Sequence, residues 1–79
     1  MVTVHRAYGF RFVMYANDHS PPHVHICGQD GEAKITLGGS KGLILDWAIG
    51  ISRADLRRIM EETELERERL IEAWRIVHD

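Results

Sequence analysis

All seven glycines and both prolines of this chain lie before residue 51, and the 29 residues from Ile51 onward contain neither. That division constrains the fold most. A turn-rich part folds back on itself as short strands, whereas an uninterrupted part rich in Glu, Arg and Leu reads as helix. In the first part, Val2 to Ala7 and Phe10 to Tyr15 alternate in character, with Phe10, Phe12 and Met14 on one face and Arg11, Val13 and Tyr15 on the other. Gly9 marks the turn between them. His23 to Cys27 predicts a third strand ending at Gly28, and Glu32 to Leu37 a fourth with Ala33, Ile35 and Leu37 on its apolar face. Gly38-Gly39-Ser40 turns the chain. Gly42 to Trp47 is apolar on both faces through Leu43, Ile44 and Leu45, which reads as a strand covered on both sides or central in the sheet.

Ser52 followed by Asp55 resembles a capping box, and Leu56, Ile59, Met60 and Thr63 form the inward stripe of a first helix. Thr63 with Glu66 repeats the box, and the apolar phase moves to Leu70, Ile71, Trp74 and Val77, so a break near Thr63 divides two helices. The Glu61 to Arg69 run reads as a solvated helix face, and Trp47 and Trp74 read as core or interface anchors. The expected architecture is α+β: a mostly antiparallel sheet of four to five strands, followed by two C-terminal helices packed on one face.

With 79 residues, 44% hydrophobic and 28% charged, the chain has room for one domain, residues 1–79. A chain this short buries only about 60% of its unfolded surface, so a metal, a partner or a homo-oligomer is a natural source of added stability. The formal charge of -2 is no strong nucleic-acid footprint. Arg6, Arg11, Lys34 and Lys41 are the basic residues that the sheet offers an RNA. The lone Cys27 makes no intrachain disulfide, the start has no signal-peptide pattern, and the apolar stretch Leu43 to Ile51 contains Asp46 and falls short of a membrane span. A cytoplasmic protein is expected. No P-loop, dinucleotide glycine fingerprint, nucleophile elbow or H-E-x-x-H helix occurs, which removes those enzyme classes.

Three of the five histidines and both prolines fall within Asn17-Asp18-His19-Ser20-Pro21-Pro22-His23-Val24-His25. The prolines stiffen this loop by fixing their own φ and holding the preceding residues extended. Alternation puts His23, His25 and Cys27 on one strand face, about 7 Å apart in succession, with Val24 and Ile26 on the other. His19, brought back by the proline turn, is a third imidazole. His19, His23 and His25 have the donor chemistry for zinc, with Asp18 as ligand or as the partner orienting a ring. The same residues have the chemistry for catalysis: His19, His23 and His25 as acid, base or phosphate contacts in RNA cleavage, with Asp18 orienting one ring. A plainer use is to solvate a sheet edge. Cys27 reads as a small buried hydrophobe, and His5 and His78 fall outside the cluster, His78 suiting a helix C-terminus.

These residues resemble a family of small bacterial proteins of uncharacterised function marked by a signature close to N-D-H-x-P-P-H-x-H, which Asn17 to His25 matches without a gap. The likeness extends to an aromatic-rich strand before the signature, a Glu-x-x-Ile strand after it, and the Leu-Ile-Glu-Ala-Trp sequence ending at Trp74. Genes of that family often sit beside a second small gene, in an arrangement similar to a type II toxin–antitoxin pair. The resemblance therefore implies a toxin-side protein with a small antitoxin-like partner. It transfers neither a mechanism nor a metal.

Overall fold

The computed structural model describes residues 1–38 and 40–79. Five strands, β1 (Val2–Ala7), β2 (Phe10–Met14), β3 (His23–Cys27), β4 (Glu32–Thr36) and β5 (Ile44–Ile49), precede two helices, α1 (Arg53–Leu65) and α2 (Arg67–Val77). The strands form one antiparallel meander in chain order, so the α+β expectation holds. Tyr8 and Gly9 both have positive φ, +54° and +78°, the conformation that a two-residue hairpin between twisted strands requires.

Alternation decides which face is covered. Phe12 and Met14 of β2, Val24 and Ile26 of β3, and Ala33 and Ile35 of β4 are fully buried, in one cluster with Ile59 of α1 and Leu70 and Trp74 of α2. Both helices therefore cover the same face. Ser52 caps α1 by accepting from the Asp55 amide at 3.1 Å, as its spacing predicts. The break between the helices falls at Glu66 rather than near Thr63, whose buried hydroxyl satisfies itself on the Ile59 carbonyl at 2.6 Å and lets α1 continue. Arg67 and Arg69 tie α2 to the sheet: Arg67 donates to the Leu37 carbonyl at 2.7 Å, and Arg69 donates to His5 Nδ1 at 2.7 Å. Arginine has no acceptor, so His5 Nδ1 accepts and its Nε2–H donates to Glu62 at 2.6 Å. His5 thus works as a brace beneath the helices, well away from the histidine loop.

The largest correction concerns the fifth strand. It runs Ile44–Ile49 rather than Gly42–Trp47, and it is the margin of the sheet, neither central nor covered on both sides. Trp47 is 38% exposed and is not a core residue, whereas Trp74 is 5% exposed and is one. An apolar run carries no information about whether a second layer covers it. The helices lie on the face of the sheet that carries Phe12, Ile26 and Ile35, where Ala48 of β5 also packs against the core, and among the described residues no element covers the other face of β5. The turn expected at Gly38-Gly39-Ser40 includes Gly39, which lies outside the described residues.

Candidate functional site

The loop from β2 to β3 turns at once, with the Asp18 amide donating to the Tyr15 carbonyl at 3.1 Å, and that turn aims the Asp18 carboxylate back at β3. Asp18 Oδ2 lies 2.9 Å from His23 Nε2 and 3.3 Å from His25 Nε2. These three donor atoms all lie within 4.8 Å of one another. On the other side of the His23 ring, Nδ1 donates to the Pro21 carbonyl at 2.9 Å.

Donor counting makes this arrangement informative. The Pro21 carbonyl only accepts, so Nδ1 donates to it and Nε2 is the nitrogen that faces the Asp18 carboxyl. Two bare lone pairs at 2.9 Å would repel, although the Asp18 side chain, 27% exposed, keeps contact with solvent. A proton held by either partner relieves that repulsion as a hydrogen bond, and a metal ion shared with His25 relieves it equally. Tetrahedral donors sharing an ion at bond lengths of about 2.0–2.2 Å stand roughly 3.3–3.6 Å apart, so the 3.3 Å between Asp18 and His25 suits a shared ion, while the 2.9 Å between Asp18 and His23 is the length of a direct hydrogen bond. Two imidazoles and one carboxylate are a donor set that could hold a borderline divalent ion such as zinc. The proline-framed loop supplies the carbonyl that locks the ring of His23, as outer partners of metal-binding histidines do.

The rings are held from behind. His23 packs at 5.3 Å from His25 and 4.9 Å from Trp74, while Tyr15 meets His25 edge-on at 5.1 Å. Trp74 in turn stacks on His78 at 3.6 Å, and His78 Nε2 reaches the Tyr15 carbonyl at 3.0 Å. His78 is therefore a member of the site's support, a role that sequence reading missed. The only available signal was the i,i+4 spacing of Trp74 and His78 on one helix face.

A cleft of about 450 Å³ opens beside the cluster, lined by Asp18, His19, Ser20, Pro21, His23, His25, Lys34, Thr36 and Asp46. Its floor follows the strand register, with His23 beside Thr36 and His25 beside Lys34, and Thr36 donates to Asp46 Oδ2 at 2.6 Å. His19 lies exposed on the rim and is not among the converging donors. With Asp18 turned inward, the next side chain points outward, so Asp18 stands where a third imidazole was expected. Cys27 is partly buried, one dyad beyond His25 along β3, and lines a separate hollow. Among the four basic residues only Lys34 reaches the cleft: Arg6 and Arg11 face each other across β1 and β2, and Lys41 lies in the turn before β5.

Residues 9–75 match the family described as Domain of unknown function (DUF4160). No curated protein and no solved structure matches the chain.

Proposed function

The chain belongs to DUF4160, a family of unknown function, so its role has to be read from its own site, and we propose that it is a metal-binding domain. Asp18 Oδ2, His23 Nε2 and His25 Nε2 are the ligands, and zinc is the ion that best suits two imidazoles and a carboxylate. The observation carrying this reading is the convergence of three donor atoms within 4.8 Å of one another, with the His23 ring held from its far side by the Pro21 carbonyl. When bound, such an ion supplies Lewis acidity and an acidified water. The chain's own residues hold the ion at the mouth of the cleft, exclude bulk water from the His23 side, and place Lys34 and Thr36 within the same recess. Equilibrium dialysis against zinc tests this: one ion per native chain and none in Asp18→Asn is the expected result. Equal uptake by both would end the proposal.

A second reading joins the same site to the resemblance carried by Asn17 to His25. The chain is then the toxin-side member of a type II pair in the bacterial cytoplasm, held in check by a small antitoxin-like protein and acting on RNA. The cleft beside the cluster favours it, because it is large enough for a nucleotide and Lys34 offers a phosphate contact. Induced expression tests it: native chain arrests growth and equally expressed, folded His25→Ala does not. Normal growth with both rejects the toxin role and leaves the metal site standing.

A further inference from the structure

β5 is an open sheet margin whose exposed side chains are apolar: Ile44 is 45% exposed, Leu45 36%, Trp47 38% and Ile49 68%. Edges of this kind are normally blunted by lysine, proline or a covering element, because their free N–H and C=O groups template another strand. β1, the other margin, carries Arg6 in its pairing with β2, and each margin has one register irregularity, between Thr3 and His5 in β1 and at Asp46 in β5. β5 carries one charge, Asp46, which Thr36 engages on the sheet's own side.

We infer that β5 is the seam of a homodimer, pairing antiparallel with β5 of a second copy. The register makes the strand self-complementary. Leu45 pairs with Ile35 and Trp47 with Lys34, which leaves Asp46 as the extra residue and puts Ile44, Asp46, Trp47 and Ile49 together on the face away from the helices. A two-fold axis between Asp46 and Trp47 then sets Ile44 opposite Ile49 of the second copy, and Leu45 opposite Ala48. Every facing pair lies on one side of the sheet, and no two like charges oppose each other. Such a contact is isologous and closes on itself. A standard interface takes about 800 Å² from each partner, about a sixth of this chain's 5007 Å² surface, and a net charge of -2 repels a second copy only weakly.

Light scattering coupled to size exclusion, with the full chain from about 5 to 200 μM, tests the seam across the affinity range of modest interfaces. The native chain is expected at twice 9.1 kDa. Ile49→Lys should weaken the dimer at least about tenfold with an unchanged circular dichroism spectrum, because it buries a charge at both ends of the seam. Ile44→Lys combined with Ile49→Glu places opposite charges across the seam and should restore dimerisation. A monomeric native chain, including one whose β5 is taken only by a different protein, overturns the inference. So does a dimer indifferent to Ile49→Lys, or a double variant that stays monomeric while folded. None of these results depends on whether the site holds a metal.

Discussion

At the residue scale the proposed metal site depends on the two nitrogens of His23. One is committed to the Pro21 carbonyl and the other faces Asp18, so the ring has a fixed orientation before any ion arrives. His23→Ala should therefore lose zinc and also cost about 2–3 kcal/mol in urea unfolding, because it removes a buried ring packed against Trp74. His25 is more exposed and less enclosed, so His25→Ala should lose the ion with a much smaller change in stability, well under that of His23→Ala. Comparable losses from the two variants would contradict the division of roles. The sequence made His23 and His25 legible, since alternation alone puts both on one face, and it marked Asp18 as their natural partner. It did not rank Asp18 above His19, because the choice depends on how the Asp18 amide closes on the Tyr15 carbonyl.

Elements succeed or fail by whether local pattern suffices. β1 to β4 and the start of α1 were readable because alternation, turn residues and the Ser52 cap are local signals. The cap is expected to be worth about 1 kcal/mol, measurable as the loss on Ser52→Ala. The placement of β5 was not readable, because an apolar run looks the same at the margin as at the centre of a sheet. The end of β5 also meets a constraint invisible in the sequence: a Cβ on Gly31 would lie 2.4 Å from the Gly50 carbonyl oxygen. Backbone cannot yield as a side-chain tip does, so Gly31→Ala should destabilise by about 1–3 kcal/mol in thermal or urea unfolding. At the helix junction, the bond from Arg69 holds the Glu66 carboxyl below its ordinary range. A depressed acid contributes above its unfolded value and stops contributing as pH falls through the folded one, so this small, solvent-screened effect is lost only on the acid side.

For the whole molecule, the pieces form a one-sided sandwich whose helices brace the face opposite the open cleft. The site draws on both ends of the chain: Asp18, His23 and His25 come from the β2–β3 region, while Trp74 of α2 and His78, the residue that caps its end, support them from behind. Filling the site should therefore stabilise the entire fold. An ion that binds only the native state at a hundredfold excess over its dissociation constant adds about 2.7 kcal/mol, which raises the midpoint of a domain this size by about 10 °C or more. Differential scanning calorimetry with zinc, then with a chelator, should show that rise and its reversal. The most direct measurement reads the rings themselves, by long-range ¹H–¹⁵N spectra of the histidines before and after one equivalent of zinc. Nε2 of His23 and His25 should shift on metal binding while His23 keeps its Nδ1 proton, and His5, His19 and His78 should stay put. Unmoved His23 and His25 signals, or a shift at His19 in their place, would contradict the proposed metal site.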